Sequence, residues 1–156
     1  ALPDYDKAIA LNNEDTRLYY NRGLIRYQFG DLENAVQDYT VVVEREPDWI
    51  FVHNKLCWTY ALLQQPALAM PYCNAAVEGA EGTTRIGYQD SRGIAYALFG
   101  DYEAAIADFQ ALVDWLEQQP GTALEAILAK RRAWIAALEA GENPFTSEVL
   151  AELQNE

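Results

Sequence analysis

The sequence predicts an all-α protein in which antiparallel helical hairpins stack one on the next as a solenoid. The main observation is an internal repeat, because Gly23 and the dipeptide Gly30-Asp31 recur 70 residues later as Gly93 and Gly100-Asp101. This offset is roughly twice the 34 residues of a two-helix repeat, so a third copy is expected between them. A second observation is that apolar residues recur every three or four positions in these segments, which is the period of a helix.

The N-terminal residues 1–13 are predicted to be the second helix of a repeat whose first helix is absent. Ala8 and Ile9 align with Val42 and Val43 at a spacing of 34 residues. We therefore expect the chain to be a piece of a longer protein. We also expect its open N-terminal end to support dimerisation at high concentration, because a solenoid end without a capping repeat exposes its packing face.

Three repeats and a C-terminal cap follow, and a proline or a glycine lies near each boundary. In the second repeat Gln64-Gln65-Pro66 replaces the Gly-Asp turn, and residues 78–84 are expected to form a surface loop. After a break at Pro120-Gly121, a helix over 123–140 is expected to close the stack. The predicted boundaries are residues 16–47, 50–79 and 86–118 for the repeats, and 123–156 for the capping helix and a short tail helix.

The first repeat shows why the hairpins should close tightly. Gly30-Asp31 separates its two helices, since glycine tolerates the left-handed C′ conformation and aspartate caps the next helix. Gly23 lies in the middle of the first helix, where glycine costs about 1 kcal/mol relative to alanine. We expect close approach of the second helix to offset this cost, with Ala35 as the small residue opposite Gly23.

The residues at these positions resemble the tetratricopeptide repeat family, over residues 1 to about 140. That family has a small residue and then an aromatic one in the first helix, Gly-Asp-Tyr at the turn, and alanine and an aromatic residue in the second helix. The third repeat matches this pattern at Gly93, Tyr96, Gly100-Asp101-Tyr102, Ala105 and Phe109, and the first repeat matches it at Gly23, Gly30-Asp31, Ala35, Tyr39 and Pro47.

A looser resemblance is to the C-terminal repeat module of large bacterial multidomain proteins. The residues that carry it are Leu56-Cys57-Trp58, Cys73, Asp90-Ser91-Arg92-Gly93 and Asn143-Pro144-Phe145. The family resemblance implies a right-handed α-α superhelix whose first helices line a concave groove. In that family the groove binds a peptide segment or a partner protein.

Mapped onto this sequence, the groove has an aromatic floor flanked by amides and a lysine. Aromatic side chains supply a large contact area, and asparagine side chains can hold an extended peptide backbone. The alternative is that the aromatic residues pack against one another or against a missing upstream repeat. The predicted groove residues are Arg17, Tyr20, Asn21, Leu24, Tyr27, Gln28, Phe51, Asn54, Lys55, Trp58, Leu62, Asp90, Ser91, Ile94 and Leu98.

Some members of the family hold the C-terminal carboxylate of heat-shock chaperones with lysines, asparagines and an arginine. In this sequence Leu24, Gly87 and Ser91 stand at positions where that clamp needs polar or basic residues. The resemblance therefore does not predict this ligand.

The chain's two cysteines, Cys57 and Cys73, replace the small residue of one helix and the aromatic residue of its partner. In the architecture that the resemblance implies, these positions face each other within one hairpin, so a disulfide is plausible. The alternative is a pair of buried thiols that fill the space of a glycine and a tyrosine. Two cysteines do not form the dense framework of a small secreted domain, and a cytoplasmic location is favoured over a secreted one.

The sequence carries no constellation of residues that indicates catalysis, a metal site or a cofactor. His53 is the single histidine and is expected in the core or at an interface. Lys130-Arg131-Arg132 is interpreted as a helix face that balances nearby acids, with a site for an acidic partner as the alternative. The net charge of −13 argues against nucleic acid and is ascribed to solubility, or alternatively to the steering of a basic partner.

Taken together, these features predict a protein–protein interaction module that has no enzymatic activity and does not insert into a membrane. The partner would be a peptide segment or a protein domain in the concave groove. The alternative is a structural spacer, or an intramolecular lid on an upstream domain that this sequence does not contain.

Overall fold

The computed structural model describes residues 1–119 and 121–155, and only the backbone of Thr122. Pro120, at the predicted break, and Glu156, at the end of the predicted tail, lie outside the described residues. Within these ranges the chain is helical and has no β-strand. Its helices are α1 (Leu2–Leu11), α2 (Thr16–Gln28), α3 (Leu32–Arg45), α4 (Ile50–Leu62), α5 (Pro66–Gly79), α6 (Gly82–Phe99), α7 (Tyr102–Glu117), α8 (Glu125–Glu139) and α9 (Ser147–Gln154), with a 3-10 turn over Thr122–Leu124.

Neighbouring helices pack as hairpins, α2 with α3, α4 with α5 and α6 with α7, and each hairpin contacts the next. The predicted all-α helical-repeat solenoid is therefore confirmed. The first helix of the second hairpin, α4, also contacts α6 directly, so the first helices of these two hairpins share one face of the stack. Among the described residues, none of the helices combines the length and the hydropathy that a membrane span requires.

The turns within the hairpins have the backbone that their sequences favour. Gly30 and Gly100 adopt positive φ angles of 78° and 93°, a left-handed conformation in which glycine has no Cβ penalty. After the second of these turns, the carboxylate of Asp101 accepts a hydrogen bond of 3.1 Å from the N–H of Ala104 and caps α7. In the second hairpin Gln64 stands at the corresponding position and adopts a φ of 55°, although it carries a side chain.

A tight contact between a glycine and an aromatic ring closes the first and third hairpins. A Cβ atom on Gly23 would lie 2.7 Å from Cε1 of Tyr39, and one on Gly93 would lie 2.7 Å from Cε1 of Phe109. The prediction that Ala35 opposes Gly23 is therefore wrong, because the atoms nearest to Gly23 belong to Tyr39 and Asp38 of the second helix. A ring in this space buries much more apolar surface than an alanine methyl group does.

Beside each of these contacts lies a partly buried ion pair, in which the aspartate is buried and the arginine is half-buried. Arg22 donates to both carboxylate oxygens of Asp38 at 3.0 and 2.7 Å, and Arg92 donates to both oxygens of Asp108 at 2.7 and 2.9 Å. Arg26 adds a third bond of 2.7 Å to Asp38. Such bidentate contacts fix the orientation of the two side chains as well as their distance, so each pair also helps to align its two helices.

The second hairpin lacks both features. Leu56 and Tyr72 stand where the other hairpins have arginine and aspartate, and Cys57 and Cys73 stand where they have glycine and an aromatic ring. The two cysteines form a disulfide with their Cα atoms 4.7 Å apart, and both are fully buried. A covalent bond thus replaces the contact that closes the neighbouring hairpins.

The connection between the second and third hairpins is shorter than predicted. The surface loop expected over 78–84 reduces to Ala80 and Glu81, because α5 ends at Gly79 and α6 begins at Gly82. The side chain of Arg85, in the first turn of α6, donates a hydrogen bond of 3.0 Å to the carbonyl of Val77 in α5. This hydrogen bond between α5 and α6 stabilises the first turn of α6, which lies in the segment predicted to be a loop.

The C-terminal residues fold back onto the stack after α8. Asn143 donates a hydrogen bond of 2.9 Å to the carbonyl of Ala97, and the buried ring of Phe145 packs against Phe109 and Trp134. The tail helix α9 then contacts α4 and buries Leu150 and Leu153. The C-terminal segment is therefore part of the core, and α9 lies against α4.

Gly93→Ala is expected to lower the free energy of unfolding by about 1–3 kcal/mol, the usual penalty for overpacking a core. The added methyl group has no room beside the buried ring of Phe109. The cost of this clash is expected to exceed the roughly 1 kcal/mol that alanine gains over glycine in helix propensity. Urea titration followed by circular dichroism measures the change. Gly87→Ala in the same helix is the matched control, because its Cβ would have open space, and it should stabilise the chain. Equal effects of the two substitutions would contradict this account.

Reduction of the disulfide is expected to lower the free energy of unfolding by roughly 3 kcal/mol, since it releases a loop closed across 16 residues. The measurement is a pair of urea titrations, with and without a phosphine reductant. The double variant Cys57→Ala/Cys73→Ala should be insensitive to the reductant. A wild-type chain that unfolds at the same urea concentration in both conditions would show that the bond contributes nothing.

Candidate binding cleft

A cleft of about 370 Å³ lies on the face shared by the first helices of the hairpins. Helix α2 contributes Tyr27, helix α4 contributes three residues and helix α6 two, while α8 and α9 close one side. We call this site the concave cleft, and its lining residues are Tyr27, Asn54, Lys55, Trp58, Asp90, Ser91, Arg131, Leu153 and Gln154. Its volume lies at the lower end of the range for ligand pockets in proteins.

The aromatic part of the cleft spans two hairpins. Nε1 of Trp58 donates a hydrogen bond of 2.7 Å to the hydroxyl of Tyr27, so α2 and α4 are joined at the floor of the cleft. Burial raises the pKa of Tyr27, and the bond from Trp58 partly opposes that shift. The hydroxyl therefore stays protonated at neutral pH.

An ion pair forms the opposite wall. Nε of Arg131 lies 3.1 Å from Oδ1 of Asp90, and its second terminal nitrogen lies 2.5 Å from Oδ2. The same guanidinium lies 4.4 Å from the ring centroid of Trp134, and the next residue, Arg132, pairs with Glu117 at 2.6 Å. Two members of the basic cluster 130–132 are thus bound to acids of this chain, in line with the interpretation that the cluster balances nearby charge.

Lys55 lies between aromatic rings at the edge of the cleft. Its Nζ atom lies 5.1 Å from the ring centroid of Phe51 and 5.9 Å from that of Tyr27. Burial lowers the pKa of Lys55, because the ammonium group is partly removed from water. The face that carries Phe51 continues into a cluster of rings that includes Tyr20 and Trp49.

The structure brings six of the predicted groove residues into the cleft, namely Tyr27, Asn54, Lys55, Trp58, Asp90 and Ser91. Phe51 and Tyr20 lie beside it in the ring cluster. Leu24, Leu62 and Leu98 pack against the core clusters, Asn21 is half-buried and Gln28 is exposed. Arg17 lines a different, wider cavity with residues that include Asn12, Glu14, Asp15, Glu46 and Trp49.

The prediction that Ile94 lines the groove is wrong, because its side chain is 1% exposed and belongs to the core. It belongs to a core cluster that also contains Trp134 of α8 and Leu150 and Leu153 of α9. The sequence did not predict that Arg131, Leu153 and Gln154 line the cleft. They come from α8 and α9, which have no counterpart in the repeat pattern, so no spacing in the sequence indicated them.

His53 lies outside the cleft, with Nε2 at 2.8 Å from the carbonyl oxygen of Pro47 and its ring beside that of Tyr72. These contacts fit the predicted interface histidine. Over residues 1–119 and 121–155, no group of three or more histidine, cysteine, aspartate or glutamate side chains is placed to hold a metal ion.

The fold and the cleft define a helical-repeat solenoid with a concave face. A model of the tetratricopeptide repeat matches residues 16–48, which include α2, the Gly30-Asp31 turn and α3. The predicted resemblance to the tetratricopeptide repeat family is therefore confirmed for the first hairpin. No curated protein matches the chain. Tetratricopeptide repeats generally mediate protein–protein interactions and are typically not enzymes.

Tyr27→Phe is expected to lower the free energy of unfolding by about 1 kcal/mol, because Nε1 of Trp58 loses its acceptor in a partly buried site. Urea titration monitored by tryptophan fluorescence measures the change. Tyr88→Phe is the control, since within the described residues its hydroxyl has no hydrogen-bond partner. If both variants match the wild type, the bond between α2 and α4 does not contribute to stability.

Proposed function

We propose that this chain is a non-catalytic binding module that holds a peptide segment or a partner domain on its concave face. The observation that carries the proposal is the concave cleft itself. It combines side chains from three successive first helices, which are far apart in sequence, with an aromatic floor and polar walls. Binding pockets in proteins have this mixture of apolar surface and a few convergent polar groups.

The floor of the cleft suits protein recognition. Tyr27 and Trp58 are held by their mutual hydrogen bond and by core packing, so little side-chain entropy is lost when a partner covers them. Phe51 is 41% exposed and extends this apolar surface beyond the cleft. Large aromatic side chains in such settings provide most of the binding energy in many interfaces.

The tail helix α9 limits where a partner can lie. Gln64 near the end of α4 donates a hydrogen bond of 2.9 Å to Ser147 of α9, and Leu153 is buried in the core. The turn-side end of α4 is therefore covered by this chain. A partner would lie on the remaining part of the face, along Phe51, Lys55 and Ser91.

A photo-cross-linking residue placed at position 91 tests the proposal directly. Ser91 lies in the cleft wall and its side chain makes only a long hydrogen bond of 3.5 Å to a carbonyl of its own helix, so its replacement should leave the fold intact. Cross-linking in cell extract should capture a specific protein segment, identified by mass spectrometry. The same residue placed at Ala107, exposed on α7, should not capture that segment.

The captured segment, made synthetically, then allows a quantitative test. Ser91→Arg is expected to weaken its binding at least tenfold, because the larger side chain fills the cleft that the segment needs. Ala107→Arg adds the same charge elsewhere and should bind as the wild type does. If position 91 captures nothing, or if Ser91→Arg binds unchanged, the concave cleft is not the binding site and the spacer hypothesis is favoured.

A further inference from the structure

The concave cleft is locally positive in a chain with a net charge of −13. Its charged residues are Lys55, Arg131 and Asp90. Both carboxylate oxygens of Asp90 are bonded to Arg131, at 3.1 and 2.5 Å, so this pair presents no net charge to a ligand. The ammonium group of Lys55 is the charge that remains.

Lys55 has no ion-pair partner among the described residues. Its contacts are the faces of Phe51 and Tyr27, with Nζ 5.1 and 5.9 Å from the ring centroids. Such cation–π contacts replace only part of the hydration that a half-buried ammonium group loses. The lowered pKa of Lys55 has the same origin, since burial removes water from its charged form.

The neighbouring polar groups are able to donate hydrogen bonds. The hydroxyl oxygen of Tyr27 already accepts from Nε1 of Trp58, so its proton is available for another acceptor. The side-chain amide of Asn54 carries a further donor on the wall. An ionised carboxylate only accepts hydrogen bonds, and therefore it matches both the charge and the donors of this cleft.

We infer that the concave cleft receives the side-chain carboxylate of an aspartate or glutamate from a partner segment, with an adjacent apolar side chain of that segment on Phe51. The inference rests on the proposed function, because it names the chemistry of the partner at the same site. The segment is an internal one, since the ring cluster of Phe51, Tyr20 and Trp49 extends the apolar face beyond Lys55. A peptide that placed its C-terminal carboxylate in the cleft would have no residues beyond that carboxylate to cover the apolar face.

The acidic surface of this chain has little effect on the affinity for such a segment once the segment is bound. Charges on the outer faces are screened over about 8 Å at physiological salt, whereas Lys55 would touch the carboxylate directly. The repulsion acts on approach, and it slows association more than it weakens the bound state. Association should therefore become faster as salt is added.

The experiment is selection from a library of short randomised peptides whose ends are acetylated and amidated, so that they carry no terminal charge. The wild-type chain should select peptides with an acidic residue beside an aromatic or aliphatic one. In a selected peptide, replacing that glutamate with glutamine should weaken binding about tenfold, and Lys55→Gln in the protein should have the same effect. Lys55→Glu should instead select peptides that contain lysine or arginine.

Lys7→Gln is the matched control, because it removes the same charge from an exposed site on α1 and should leave peptide selection unchanged. Thermal unfolding of each variant shows that the fold is retained. Selected peptides without acidic enrichment would overturn this inference and leave the proposed function in place. The inference also fails if an uncapped peptide without acidic side chains binds better through its terminal carboxylate. If no peptide is selected, both the inference and peptide binding at this site are wrong.

Discussion

The structure depends on how closely two helices can approach at one position in each hairpin. In the first and third hairpins a glycine admits the ring of a tyrosine or phenylalanine, at a distance that leaves no room for a Cβ atom. The contact fixes both the separation and the register of the helices, because a shift along either axis would drive the ring into a side chain. The second hairpin meets the same requirement with the bond between Cys57 and Cys73. With all three hairpins closed at equivalent points, their first helices are placed in order along one face.

The fold could be predicted because its determinants repeat in the sequence. The dipeptides Gly30-Asp31 and Gly100-Asp101 specify left-handed turns through local backbone chemistry, which does not depend on distant residues. The partner of Gly23 could not be predicted from residue size, because packing across a hairpin depends on side-chain direction. The ion pairs Arg22–Asp38 and Arg92–Asp108 were missed, although they recur at the same 70-residue offset as the glycines. Charged residues in a repeat are easily ascribed to solvent-exposed faces, and only the structure shows that the aspartates of these pairs are buried.

The cleft was predictable only in part. Tyr27, Lys55 and Trp58 lie on the faces of first helices, which the periodicity of the repeat specifies directly. Ile94 was misplaced because it is buried in a core cluster that includes residues of α8 and α9, which have no counterpart in the repeat pattern. The wall formed by α8 and α9 could not be inferred from the pattern. The segment after Asn143 returns to the stack through individual contacts, such as the bond to the carbonyl of Ala97, that no repeat encodes.

The middle hairpin connects the stability of the fold to the geometry of the cleft. It carries Lys55 and Trp58 of the cleft on α4, yet it lacks both the partly buried ion pair and the glycine–ring contact that align the other hairpins. Its alignment depends instead on the disulfide, whose first cysteine is the residue immediately before Trp58. A change in the position of α4 would move Trp58 relative to Tyr27, and their hydrogen bond of 2.7 Å tolerates little displacement. The geometry of the cleft therefore depends on a covalent bond, and oxidation of these cysteines is part of what forms the cleft.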